Sequence, residues 1–235
     1  MKTDGGTAAA KRRAGERAAT AVEDDFVVGL GTGSTAAYAI DAIGAAVADG
    51  LDVRGIPTSF QSRQRALEAG IALTSLDAVD RVDLAIDGAD QVVDDPGADA
   101  HGALIKGGGG AHAREKLVDA TAERFVVVVD PSKLTARFDR SVPVEVLPDA
   151  YTVVADRVRD LEGEPTLRSA KHKDGPVVTD NGNLVLDCEF DPIDDPGHLA
   201  ATLSGIPGVV EHGLFVDLAD TIYVGLEDGV DVREY

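Results

Sequence analysis

DFVVGLGTGSTAAYAIDAIGAAVADG, residues 25–50, passes from a short apolar run through closely spaced glycines into a helix-like segment with a glycine stop. DFVVGLG (25–31) has the composition of a buried strand, and STAAYAIDAIGAAVADG (34–50) the spacing of a helix laid over it. The pairing recurs downstream. DVRGIPTS (52–59) reads as a second strand and FQSRQRALEAG (60–70) as a second helix ending in Gly70. VDLAID (82–87) reads as a third strand and HAREKLVDATA (112–122) as a third helix. RFVVVVD (124–130) is a continuous apolar run, the mark of a strand buried on both faces. Residues 7–22 form an Ala-rich helical stretch with an Arg-bearing face. Strand and helix alternate throughout, so the first 130 residues are expected to fold as an open parallel α/β sheet.

After SKLT (132–135) the character changes. PVEVLP (143–148), a helix-like YTVVADRVRDLEG (151–163), PTLRS (165–169) and PVVTDNGNLVLDCEF (176–190) follow. In the last of these, Asn181-Gly182 joins two alternating segments, a strong hairpin signal. Residues 195–208 read as a capped helix and a turn, and HGLFVD (212–217) and TIYVGL (221–226) as strands returning to the first sheet. The expected division is an α/β domain of residues 1–135 and 213–235, and a smaller α+β unit of residues 136–212.

The 44% hydrophobic content suffices for a core, and with no Trp it rests on Val, Ala, Leu and Ile. The net charge of −20 argues against nucleic acid as a partner, since phosphate contacts need clustered Lys and Arg. Acidic residues such as Asp94, Asp95, Asp194 and Asp195 crowd the loops and lysines are few, which fits either solubility or adaptation to high salt. A single cysteine, Cys188, excludes an intramolecular disulfide, and its alternating neighbours suggest a buried small hydrophobe. The N-terminal stretch lacks the apolar core of a signal peptide, and no run approaches the ~18–20 apolar residues of a membrane span. The expectation is a soluble, cytoplasmic protein with no membrane partner.

In an open α/β sheet, ligands bind beyond the carboxyl ends of the strands. Here those ends carry Gly29–Thr35, Pro57-Thr58-Ser59, Asp87-Gly88-Ala89-Asp90, Lys106 with Gly107–Gly110, and Asp130-Pro131-Ser132-Lys133. All are polar or glycine-rich, which points to one shared site. GLGTGST is no dinucleotide fingerprint: Ser34 replaces the third glycine, and Pro57-Thr58 stands where an acidic residue would hold a ribose. Nor is it a P-loop, because it contains no lysine. What remains is a glycine turn into a helix N-terminus with three hydroxyls, Thr32, Ser34 and Thr35, suited to a single phosphate; a tight turn capped by Ser34 is the plainer alternative. Asp87 and Asp90 could orient sugar hydroxyls, shuttle protons or bind a metal, or simply be solvated turn residues. His101, His112, His172, His198 and His212 show no metal-ligand spacing, so neither a metal nor a cofactor is expected. Glu115 follows the glycines in a helix and could serve as a base or merely favour the helix dipole. Lys106 and Lys133 could meet a phosphate or a developing oxyanion, surface exposure being the default for each.

GLGTGST, DLAIDGADQV, KGGGGAHAREK and VVVVDPSKLT, in that order, resemble ribose-5-phosphate isomerase of the A type, and with PTSFQS (57–62) and PVEVLP the likeness spans most of the chain. The resemblance implies a Rossmann-like open, mostly parallel sheet with helices on both faces, plus a smaller α+β (ferredoxin-like) domain at a subunit interface of a homodimer or homotetramer. It implies interconversion of ribose 5-phosphate and ribulose 5-phosphate through an enediolate, without a metal, in the pentose phosphate pathway. By motif, Glu115 is then the general base; Asp87 and Asp90 handle ring opening and hydroxyl protons; Lys106 stabilises the enediolate. Thr32, Gly33, Ser34, Thr35, Gly88, Ala89, Gly107, Gly108, Gly109 and Lys133 would hold substrate, with Lys11 as the basic residue that the family's N-terminal helix offers to the phosphate. Gln91 and His112 depart from the glutamate and leucine usual in the family. The rival reading is a non-catalytic sugar-phosphate sensor domain; such regulators usually carry a DNA-binding helix-turn-helix, for which 25 residues before the first strand leave no room, and Glu115 favours catalysis. A related isomerase or hydrolase acting on an amino sugar or lactone should lack the whole set of Asp87, Asp90, Lys106 and Glu115.

Overall fold

The computed structural model describes residues 6–95, 97–98, 100–172, 174–191 and 193–235. In chain order its elements are α1 (Ala8–Ala19), β1 (Val27–Leu30), α2 (Ser34–Ala48), β2 (Arg54–Pro57), α3 (Phe60–Glu68), β3 (Ala72–Leu73) and β4 (Leu84–Gly88). Then come β5 (Gln91–Val93), β6 (Leu104–Ile105), α4 (His112–Asp119), β7 (Phe125–Val129), β8 (Leu134–Thr135), β9 (Val142–Val146) and α5 (Tyr151–Asp160). The chain finishes with β10 (Glu164–Leu167), β11 (Leu184–Glu189), α6 (Pro196–Ser204), β12 (Val209–His212), β13 (Leu214–Phe215), β14 (Thr221–Gly225) and β15 (Val230–Glu234). Two compact units result. Among the described residues, the first holds 6–89 with Arg114–Leu134 and Leu218–Tyr235; the second holds Asp90–Ala113 and Thr135–Asp217.

The first unit is built on a seven-stranded sheet in the order β15-β14-β7-β4-β1-β2-β3. All its pairings are parallel except β14 with β15. The expected α/β architecture is therefore present, and the apolar run of 124–130 becomes β7, buried along its whole length. Period-two alternation sorts the strand residues onto two faces. Val28, Leu30, Leu84, Ile86, Val126, Val128 and Tyr223 meet Ala36, Ala39, Ile40 and Ile43 of α2, Ala14 and Ala18 of α1, and Ala66 of α3. On the other face Val27, Ile56 and Val82 meet Val118 of α4. Burying a side chain such as Ile40 or Ile43 contributes about 1.5–3 kcal/mol. From β1 the chain winds one way through β2 and β3, then the other way through β4, β7 and β14, so the strand order reverses between β1 and β4. A reversal of this kind opens a crevice beyond the strands' carboxyl ends.

The second unit contains a four-stranded antiparallel sheet, β10-β11-β9-β12. With α5 and α6 it runs strand–helix–strand–strand–helix–strand, the ferredoxin-like arrangement. Val142, Val144 and Val146 point into a core with Val154, Ala155, Val158, Leu186, Cys188 and Leu203. Glu145, on the opposite face of β9, is also fully buried, and its Oε1 accepts from Thr179 Oγ1, Asn181 Nδ2 and Asn183 Nδ2 at 2.8–2.9 Å.

Two local expectations change. HGLFVD does not return to the first sheet: β13 pairs with β6, in a small sheet ordered β13-β6-β5-β8. The turn at Asn181-Gly182 forms, but as a three-residue loop closed by the Thr179 N–H on Asn183 O, with only Gly182 at positive φ. Its first arm makes only isolated bridges, because β10 and β9 already flank β11. No helix among the described residues is long and apolar enough to cross a membrane.

Cys188 is buried on β11, and burial pushes its thiol up to about 12. Since the thiolate is the reactive form, a thiol reagent at pH 8 should find no reactive sulfur in the native protein and one after denaturation. Rapid native labelling would contradict this packing.

Candidate active site

In the first unit, the carboxyl ends of β1, β2 and β4 form one hydrogen-bonded cluster. Asp87, fully buried at the end of β4, accepts on Oδ1 from the backbone N–H of Thr32 at 2.9 Å and of Gly88 at 2.6 Å. The fit demands glycine at position 31, where an added Cβ would stand 2.3 Å from the Asp87 carboxyl carbon. The Thr32 hydroxyl lies 2.9 Å from Thr58 Oγ1 and 2.6 Å from Ser59 Oγ, beyond the end of β2. Ser59 and Ser62 form the capping box that starts α3.

The N-cap of α2 is Gly33, at φ +116° and without a side-chain capping bond. Ser34 is the first helical residue and is exposed, so it does not cap the helix as the plainer reading of GLGTGST supposed. Thr35 is buried in the first turn. Backbone N–H groups at such an end carry no side-chain acceptor and, with the helix dipole, favour an anion.

Beyond β7, Asp130 accepts from Ser132 N–H at 2.9 Å and starts the short turn Pro131–Lys133, on which Lys133 is half-buried. Lys11, also half-buried, lies in the first turn of α1. Glu115 is the fourth residue of α4 and only 5% exposed. Its neighbour Arg114 donates from Nε to Pro57 O at 2.9 Å, tying that helix to the end of β2. Ala89, half-buried, is the last residue of this unit before the chain passes to Asp90.

In the second unit the glycine segment is equally constrained. Lys106, at the end of β6, is only 2% exposed, and its ammonium lies 5.3 Å from the centroid of the Phe215 ring. An ammonium over an aromatic face is attracted by the ring quadrupole. Gly107 has φ +103°, a conformation side chains disfavour, and Gly108 presents its N–H to Asp90 Oδ2 at 2.6 Å. A Cβ on Gly108 would lie 2.8 Å from both Asp90 oxygens. Gly109 is exposed, and Gly110 N–H closes the turn on Gly107 O at 2.9 Å. The carbonyls of Gly107 and Gly108 accept from Arg168 Nη1 at 2.8 and 3.4 Å. A cavity of about 120 Å³ is lined by Asp90, Ile105, Gly108, Arg140, Ser141 and Pro143. Of the two departures noted in the sequence, His112 Nε2 lies 3.3 Å from Glu211 O, and Gln91 hydrogen-bonds Asp139.

The structure thus sets Thr32 with Asp87 and Gly88 in one unit, and Asp90 with Gly108 in the other. Lys106 is not the surface lysine that is the default for its type, and Asp87 is not a solvated turn residue. Sequence reasoning placed Thr58 and Ser59 among the polar strand ends, by the rule that found Thr32, without giving either a role, and it missed Arg168, Arg140 and Ser141 as parts of these clusters. Arg168 and Arg140 stand in ordinary polar sequence with no local signal.

A family model described as ribose 5-phosphate isomerase A (phosphoriboisomerase A) matches residues 54–229. The ribose-5-phosphate isomerase A of Natronomonas pharaonis is 64% identical over 233 residues, 99% of this chain and all of that protein. The solved ribose 5-phosphate isomerase A of Methanocaldococcus jannaschii is 43% identical, with a TM-score of 0.90 over 96% of this chain and 98% of that one. A D-ribose-5-phosphate isomerase solved in complex with phospho-erythronic acid is 41% identical, with a TM-score of 0.91 and the same coverage. With the match spanning most of the chain and the fold shared throughout, the chain belongs to the ribose 5-phosphate isomerase A family.

Proposed function

We propose that this chain is a ribose-5-phosphate isomerase. It interconverts D-ribose 5-phosphate and D-ribulose 5-phosphate through an enediolate, in the cytoplasm, as a step of the non-oxidative pentose phosphate pathway. The family membership and the 64% identical relative of that name support the reaction. The phospho-erythronic acid held by a solved relative joins a phosphate to a carboxylate. A carboxylate has the planar, charge-sharing oxygens of an enediolate, so that chemistry suits the substrate class.

One observation carries the assignment of roles: Asp87, Lys106 and Glu115, all in the recognised motifs, are ionisable and nearly or fully buried. Keeping charges from water costs several kcal/mol each unless they are compensated, so ionisable groups buried within such motifs mark working residues more often than scaffold. Glu115 is assigned the proton transfer between C1 and C2 of the open-chain sugar. Its carboxylate takes the proton from one carbon and returns it to the other, without oxidant or reductant. Lys106 offsets the charge that develops on the enediolate oxygens. Asp87 and Asp90 are assigned ring opening and the hydroxyl protons. The N-terminus of α2, with Thr32 to Thr35, is assigned the phosphate, joined by Lys133 and Lys11; Gly88, Ala89 and Gly107 to Gly109 give close backbone approach to the sugar. No metal or cofactor enters this scheme. Residues 1–135 and 213–235 are assigned the chemistry, and residues 136–212 the subunit contacts of a homodimer or homotetramer. No observation favours the non-catalytic sensor.

The purified protein, treated with EDTA, should form ketose from ribose 5-phosphate; absence of turnover at both low and high salt would sink the assignment. Glu115→Gln should lower kcat by about 10²–10⁴-fold, the usual contribution of a positioned base. Near wild-type turnover by that variant would remove Glu115 from its role while leaving the reaction standing. The net charge of −20 is assigned to a high-salt environment, in which screening relieves self-repulsion. The thermal midpoint should therefore rise as KCl is raised from about 0.1 M, where the screening length is about 10 Å, to molar levels. A flat or falling midpoint would refute this reading of the acidity.

A further inference from the structure

We propose that Arg168 is a positioning residue for the isomerisation: its guanidinium sets the glycine segment on which Asp90 is held. The proposal rests on the assignment of Asp90 to the substrate's hydroxyl protons. Arg168 immediately follows β10, and both sides of its backbone are fixed, the N–H on Val185 O at 2.9 Å and the carbonyl by Val177 N–H at 2.8 Å. Its side chain is 11% exposed and meets the carboxylate of Asp187, on β11, through two parallel bonds: Nε to Oδ2 at 2.9 Å, and Nη2 to Oδ1. The remaining donor face turns to the carbonyls of Gly107 and, at longer range, Gly108.

The next link is a single peptide residue. Gly108, whose carbonyl faces Arg168, gives its N–H to Asp90 Oδ2 at 2.6 Å. A path of hydrogen bonds therefore runs from Asp187 on β11 through Arg168 and the Gly107–Gly108 backbone to Asp90. Glycine cannot hold such a conformation by itself: with no side chain it ranges freely in φ, and Gly107 sits at +103°. Two successive carbonyls directed at one point need a fixed planar donor between them and their counter-charge. Arginine supplies it, whereas lysine, a point charge on a flexible stem, cannot serve the bidentate carboxylate and both carbonyls together. Asp187 fixes the guanidinium plane, and the plane orients the loop. In this proposal the effect of Arg168 on the reaction passes through the Gly107–Gly108 backbone to Asp90.

The test compares Arg168→Lys, Arg168→Ala, Asp187→Asn and Asp90→Asn with the wild type in the full-length protein. Arg168→Lys should lower kcat by about 10- to 100-fold, the scale of a small misplacement of a catalytic group. Its KM should change by no more than about threefold, since binding in the ground state is largely retained. Its thermal midpoint should stay near that of the wild type. Arg168→Ala should regain kcat on addition of millimolar guanidinium, and not on addition of methylammonium at the same ionic strength. In the double variant Arg168→Lys/Asp90→Asn the two losses should not multiply, because both act on one group. Wild-type kcat in Arg168→Lys, or a loss that tracks unfolding and is not rescued by guanidinium, would overturn the proposal. If Asp90→Asn keeps wild-type turnover, the role of Asp90 falls and this proposal with it. If Asp90→Asn is inactive while Arg168→Lys is unimpaired, only the positioning role falls.

Discussion

In each unit a carboxylate lies directly against a glycine, in a space that admits no side chain. Asp87 occupies the place a Cβ on Gly31 would need, and Asp90 the place a Cβ on Gly108 would need. Each carboxylate gains backbone N–H donors from that contact, Thr32 and Gly88 for Asp87, and Gly108 for Asp90. Hydrogen bonds to a charged group contribute about 1.5–3 kcal/mol, and here they also orient it. The glycine segments cost backbone entropy on folding. What they provide in return is a carboxylate held without a flexible partner, the preorganisation that the roles proposed for Asp87 and Asp90 require.

The interior handles charge in three ways. Asp187 and Arg168 neutralise each other through a bidentate pair and use the remaining donors on the backbone. Lys106 is set over the ring of Phe215, whose quadrupole attracts the ammonium. Glu145 has a different solution: one oxygen gathers the side chains of Thr179, Asn181 and Asn183, and Thr179 Oγ1 in turn accepts the N–H groups of Asn181 and Asn183. This explains why DNGN folds around a buried carboxylate and not as a free-standing hairpin. Most of the protein's surplus negative charge is carried by exposed side chains, where ionic strength screens it.

Much of the first unit was legible because its signals are local. The apolar run of 124–130, the glycine-to-helix passage at 29–36 and the polar strand ends each follow from burial and helix chemistry within one short window. The same rule placed Thr32 and Asp87 at neighbouring strand ends, where they bond. Less legible were β5, β6 and β13, strands of two or three residues, of which β6 pairs on one side with nearby β5 and on the other with β13, about a hundred residues further along the chain. HGLFVD reads as a strand in isolation, yet nothing in its composition says which sheet receives it. Asn181-Gly182 announced a turn but not its loop length, which is set by the contacts of Thr179 and Asn183 with Glu145.

The amino-acid sequence by itself determined the alternation of strand and helix, the positions where glycine must replace a side chain, and the family, because periodicity, turn chemistry and motif order are properties of neighbouring residues. Only the tertiary structure decided that Lys106 and Glu115 are buried, that Ser34 is not a cap, and that Arg168 reaches across 60 residues of chain to the carbonyls of Gly107 and Gly108. Burial and long-range hydrogen bonds depend on which segments pack together, and no single segment encodes its partner.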